Sequence, residues 1–165
     1  SYLLSILNSN LINYYYKKIS AQLGETGIRS FTIYIENIPI PNISDVEQKV
    51  FIEKADLMLK LNKELQEQSQ KFQRTLLRKF EGLELTKRLE TWYELTFAEF
   101  VMELGKKKIK LTLSQEAEWE DYFLQEQQKA VAIKNEIVAT DKAIDTMVYA
   151  LYGLSDEEIS IVENS

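Results

Sequence analysis

Neither cysteine nor histidine occurs in this chain. That excludes disulfides, thiolate catalysis, imidazole metal sites and any Ser-His-Asp or Cys-His nucleophile, and leaves oxygen atoms as the only metal ligands. Glycine and proline are scarce, at 5 and 2 of 165 residues. Sheets joined by tight turns draw on both, so their scarcity points to helix. No glycine-rich phosphate loop is present, and no internal repeat or low-complexity tail is seen. No apolar run approaches the roughly 20 residues of a membrane span. The opening stretch SYLLSILNSNLINYYYKK has neither the basic leader nor the small-residue cleavage site of a signal peptide. It lacks an initiator Met and begins inside an apolar pattern, so residue 1 is not expected to be the natural beginning and the chain is expected to be a fragment of a longer one.

What is present is an apolar fraction of 45%, enough for a core, and a net charge of −6. The charges are segregated. Asp45–Glu67, Glu116–Glu126 and Asp156–Glu163 are acidic stretches, whereas Lys71, Arg74, Arg78 and Lys79 form a basic block and Lys106, Lys107, Lys108 and Lys110 another. A single run of this kind ordinarily marks a solvated helix face.

Apolar residues Leu3, Leu4, Leu7, Leu11, Ile12, Tyr15 and Ile19 follow helical spacing, which predicts an amphipathic helix over residues 2–19 ending before Gly24 and Gly27. Phe31–Glu36 is β-branched and aromatic and reads as a strand. Pro39 and Pro41 then hold Ile38 and Ile40 extended, and Ser44 with Glu47 fits a capping box for the next helix. From there Phe51, Ala55, Met58, Asn62, Leu65, Ser69, Phe72 and Leu76 alternate steps of four and three. So do Trp119, Phe123, Glu126, Ala130, Ile133, Ile137, Thr140, Ile144, Met147 and Leu151. Two such seams predict two long helices packed antiparallel in a coiled-coil-like hairpin. Thr86–Leu95 and Thr96–Leu104 read as short helices at its turn, the second ended by Gly105. Trp92, Tyr93, Phe97 and Phe100 are expected to form a small core under that turn, the other reading being a stacking platform. Gly153 is expected to stop the last long helix, and Ser155 with Glu158 to cap a final short one. The expected fold class is therefore mainly α, with a small α+β piece in residues 1–44 and the hairpin in residues 45–165.

Chemistry is hard to find. Glu118 with Glu120 and Glu157 with Glu158 point in different directions on a helix, and Asp141 with Asp145 reads as a solvated face. No catalytic residue and no metal site is assigned. The triplet Tyr14, Tyr15 and Tyr16 beside Lys17 and Lys18 admits two readings, lysines complementing a helix C-terminus or a surface for phosphate and bases.

The phrase LLSILNSNLINYYYKK, followed by a glycine-containing loop and then IYIENIPIP, resembles the target-recognition domains of restriction–modification proteins. Type I specificity subunits and Taq-type adenine methyltransferases carry such a leucine-rich helix and exit phrase. LETWYELTFAEFVMEL, KKKIKLTLSQEAEWEDYF and ALYGLSDEEI resemble the C-terminal end of type IIG restriction enzymes with a Taq-type specificity domain. The resemblance covers most of the chain. Leu7, Asn8 and Ser9 match the helix phrase, Ile38–Pro41 the exit phrase, and Trp92 with Tyr93 the later aromatic one. The catalytic motifs of that family have no counterpart here. The resemblance implies a non-catalytic DNA-recognition fragment, without a cofactor of its own, of a bacterial or archaeal cytoplasmic enzyme that uses S-adenosylmethionine. Its expected partners are double-stranded DNA and the catalytic domains of the parent chain, with Lys17, Lys18, Arg29, Lys106, Lys107 and Lys108 as DNA contacts. The alternative reading is a helical spacer or protein–protein module, able to dimerise through its seam.

Overall fold

A computed structural model describes residues 1–23 and 38–165. These hold α1 (Tyr2–Leu7), α2 (Asn10–Leu23), α3 (Asp45–Lys79), α4 (Lys87–Glu90), a 3-10 turn (Trp92–Glu94), α5 (Phe97–Lys106), α6 (Leu113–Tyr152) and α7 (Asp156–Glu163). The fold is mainly helical, and the two long helices α3 and α6 pack together as the paired seams predict. The strand expected at Phe31–Glu36 lies outside the described residues. Among the described residues there is no strand, so the α+β character expected of residues 1–44 is not supported.

The chain divides into two compact units, residues 1–59 with 138–165, and residues 60–137. In the first unit, the helix expected over residues 2–19 is broken. The Ser9 hydroxyl donates to the Ile6 carbonyl at 2.7 Å and its backbone N–H to the same oxygen at 3.1 Å. A serine that bonds its own backbone competes with the helical ladder. The ladder stops at Leu7 and restarts at Asn10, carrying α2 on to Leu23. Ile6, Ile12, Ile38, Phe51, Ile144 and Val148 form the buried core. The proline connector is tied down by two tyrosines. The Tyr2 hydroxyl donates to the Pro41 carbonyl at 2.7 Å and the Tyr152 hydroxyl to the Pro39 carbonyl at 2.8 Å. Ser44 and Glu47 make the expected capping box, with the Ser44 N–H 2.9 Å from the Glu47 carboxylate and the Glu47 N–H 3.3 Å from the Ser44 hydroxyl. Ser155 with Glu158 does the same for α7.

In the second unit, contacts on α3 at Gln68, Lys71 and Thr75 meet α6 at Glu126, Glu126 and Tyr122, so the helices run antiparallel. Trp92, Phe72, Phe100 and Phe123 are fully buried. The Phe72 and Trp92 rings stack with centroids 3.7 Å apart, and Phe100 lies 4.9 Å from Phe123. Tyr93 and Phe97 pack on this cluster half-buried. The segment between α4 and α5 is thus plugged into the helix pair by aromatics, as the sequence suggests. The seam differs from expectation at one point. Leu61 is buried and Asn62 exposed: burying the leucine is favourable, whereas burying the amide would cost its hydration. Ser69 does sit in the seam, and its hydroxyl donates to the Glu90 carbonyl at 3.2 Å.

Gly105 does not end α5. The helix continues to Lys106, and the left-handed position falls on Lys108 at φ 63. The Ile109 N–H reaches the Leu104 carbonyl at 3.1 Å and the Lys108 N–H the Gly105 carbonyl at 2.9 Å, the double closure of a Schellman motif. Helix α6 ends the same way, with Gly153 at φ 67 in the left-handed place. A side chain there costs about 1–2 kcal/mol. Lys108→Gly should therefore raise the unfolding free energy by about 1 kcal/mol, and Gly153→Ala should lower it by a similar amount although a Cβ at Gly153 would meet nothing within 4 Å. Urea unfolding of the two variants checks both signs.

Candidate nucleic-acid interface

The expected contact residues divide between the two units. Lys17 and Lys18 lie in α2 of the first unit and are exposed. They are not at a helix C-terminus, because α2 runs on to Leu23 and has no basic residue in its last turn. The dipole reading of this pair therefore falls. The Lys18 ammonium lies 5.4 Å from the Tyr14 ring centroid, one turn back on the same helix, a distance at which the ring face attracts a cation. Tyr15 beside them is exposed. Arg29 lies outside the described residues.

The lysine run belongs to the second unit, and carboxylates already hold part of it. Lys106 Nζ is 2.6 Å from Glu103 and Lys107 Nζ 3.4 Å from Glu84. Lys108 is exposed at the left-handed turn. Two of the three lysines could therefore meet a phosphate only by sharing or leaving an existing partner.

Sequence reasoning overlooked how the carboxylates are used. Glu126 is 3% exposed and takes Lys129 at 2.6 Å, Lys71 at 3.2 Å and the Gln68 amide at 2.7 Å. Burial pushes its carboxyl up, but those three partners outweigh it and hold the group below the usual range. Glu103, 2% exposed, is held low chiefly by Lys106, against its burial, with Thr86 and Arg88 assisting. Glu99 is lowered to about 2 by the Thr96 N–H, Arg88 and the Thr96 hydroxyl. A glutamate at a seam position was the signal for Glu126. For Glu103 it was the place beside Leu104 on the inner face of α5.

Asp145 corrects a second reading. It is not on a solvated face but 6% exposed. It accepts the Asn10 backbone N–H and the Asn10 side-chain amide, each at 2.8 Å, and so caps the start of α2 from α6. Burial raises its carboxyl, offset in part by the Asn10 N–H, while Asp141 and Glu163 add to the rise. The neighbouring Tyr149 hydroxyl is buried, and its pKa is raised by burial and by Asp145, with Asn10 opposing the rise. No group of three or more acids that could hold a metal occurs among the described residues. No helix among them is long and apolar enough to cross a membrane.

The lowered carboxylates fix a pH dependence. Glu103 and Glu126 have folded values below their unfolded ones, so their contribution is present above about pH 4.3 and is lost as pH falls through the folded values. Glu103→Gln with Glu126→Gln should cost about 1–3 kcal/mol at pH 7, and the gap from the parent chain should close toward pH 3. Thermal unfolding at both pH values is the measurement.

No curated protein and no solved structure matches the chain. Residues 44–148, from the cap of α3 to within the last turns of α6, match a family described as a domain of unknown function, DUF8810, and the chain belongs to that family.

Proposed function

We propose that this chain is the non-catalytic, DNA-recognising end of a restriction–modification enzyme whose parent is an adenine-specific methyltransferase, with or without a nuclease. The observation that carries the reading is the succession of recognition-domain phrases, from LLSILNSNLINYYYKK through IYIENIPIP to ALYGLSDEEI, over most of the chain. The exposed Lys17 and Lys18 of α2, beside exposed Tyr15, supply groups suited to phosphate and base edges. Lys108 adds a cation in the second unit, with Lys106 and Lys107 as secondary contacts. Arg29 belongs to the same proposed set. S-adenosylmethionine and the catalytic domains belong to the parent protein, and a bacterial or archaeal cytoplasm is the setting such an enzyme implies.

A second reading rests on the packing of α3 and α6, 35 and 40 residues long. A helix pair of that length suits a spacer that sets the distance between recognition and catalytic parts. Its seam residues face one another within the chain, which argues against dimerisation through that seam.

Fluorescence anisotropy with a duplex of about 30 base pairs separates the two readings. A recognition fragment should bind weakly, lose affinity as salt rises from about 50 to 200 mM, and show a salt slope shallower by about one for each phosphate-contacting lysine removed in Lys17→Ala/Lys18→Ala. A chain that shows no binding at the lower salt is a spacer, and the recognition reading is then wrong.

A further inference from the structure

The ion pairs of α3 change character along its length. Lys60 pairs with Glu64 and Lys63 with Glu67, each four residues on. Between Lys71 and Lys79 the helix carries four cations and no acid. Lys71 finds Glu126 across the seam. Arg74 and Arg78 make no ion pair among the described residues, and Arg78 donates only to the Thr75 hydroxyl at 3.3 Å. The remaining arginine among the described residues, Arg88, is engaged by both Glu99 and Glu103.

Arg74 and Arg78 stand four residues apart, so they share a face and repel. The helix dipole explains Arg78 and Lys79, which lie in the last turn of α3, but not Arg74, which lies before it. Lys71, Arg74, Leu77 and Arg78 line one shallow surface groove of about 400 Å³, in which Leu77 is 44% exposed. At 1.5 Å per residue, the three cations are spread over roughly 10 Å of helix. Two guanidinium groups with no ion pair among the described residues suit an array of phosphates, which guanidinium binds in bidentate fashion.

We infer that the Lys71–Arg74–Arg78 face of α3 is a phosphate-backbone contact for duplex DNA that grips without reading bases. This rests on the recognition reading above and adds to it a surface in the second unit. Arg74 and Arg78 supply the attraction, and Lys71 contributes less because Glu126 already holds it.

The test is duplex binding by the whole chain at about 50 and 200 mM salt, with Arg74→Ala/Arg78→Ala, Arg74→Lys/Arg78→Lys and Lys17→Ala/Lys18→Ala compared with the parent. The alanine pair should weaken binding about tenfold or more at the lower salt and flatten the salt slope by about two, with thermal stability unchanged or slightly raised. The lysine pair should keep the slope and lose part of the affinity, because charge remains and the bidentate fork does not. Parent-like binding by the alanine pair would overturn the inference and leave the recognition reading standing. No duplex binding by the parent chain, together with heparin binding that the alanine pair loses, would remove the recognition reading and the DNA contact but keep a cationic docking face. No binding to either would end both.

Discussion

The stacking of Trp92 on Phe72 is the contact from which the rest of the second unit follows. The indole is fully buried, and its ring N–H donates to the Ser69 carbonyl on α3 at 3.4 Å. Its segment is too short for regular structure to satisfy its own backbone. Side chains of the long helices therefore take over. Ser69 and Gln73 reach the Glu90 carbonyl at 3.2 and 2.9 Å, and Gln127 on α6 reaches the Tyr93 and Leu95 carbonyls at 3.0 and 2.6 Å. Backbone carbonyls left outside a helical ladder take such partners where packing limits their access to water. An indole packed against Phe72 and Phe123 and tied by its N–H to the Ser69 carbonyl is fixed in rotation as well as depth. The same polar fingers, projecting from both helices, fix how α3 and α6 face one another in this unit.

Much of this was legible because long helices announce themselves through periodicity. The second seam, from Trp119 to Leu151, is buried or half-buried at every step. The capping boxes at Ser44 and Ser155 were readable because a hydroxyl and a carboxylate three residues apart have little else to do at a helix start. The failures are local contests that a pattern does not weigh. Ser9 breaks a helix whose apolar spacing continues straight through it. Leu61 displaces Asn62 because an apolar side chain next to a polar one in the seam is the cheaper to bury. Lys108 takes a left-handed position three residues after a glycine that looked better suited. Asp145 reads as surface because its partner, Asn10, lies 135 residues away. Of the expected site residues, sequence alone identified Lys17 and Lys18 as exposed cations. It gave no sign that Lys107 was occupied, since Glu84 lies in a different local segment, whereas Glu103 stands three residues before Lys106 on the same helix and was a readable partner.

The acidity of the chain looks like an obstacle to meeting DNA, but the structure distributes the acids unevenly. Glu103 and Glu126 are turned inward and spend their charge on lysines, while Glu99 is locked to Arg88 and the Thr96 N–H. Glu64 and Glu67 neutralise lysines on their own helix. Net charge counts all of these equally, whereas a ligand at a surface feels mainly the charges that lie within a Debye length and are not compensated locally. The cationic end of α3 is left standing by this arrangement.

Glu126 also bears on specificity of packing. An aliphatic residue at that position would bury more apolar surface without a desolvation cost, and replacing buried ion pairs by apolar groups is often neutral or stabilising. What an aliphatic residue would lose is direction. Two seams with steps of four and three can slide past each other by a heptad and still bury apolar side chains. Gln68 and Lys71 on α3 hold Glu126 in one register, with Lys129 of its own helix beside it, and a slide of one heptad toward the start of α3 would set the carboxylate against Leu61 and Glu64 instead. For a helix pair read as a spacer or as an arm beside DNA, a fixed register matters more than added stability, since a slip of one heptad would move every residue at its end by about 10 Å.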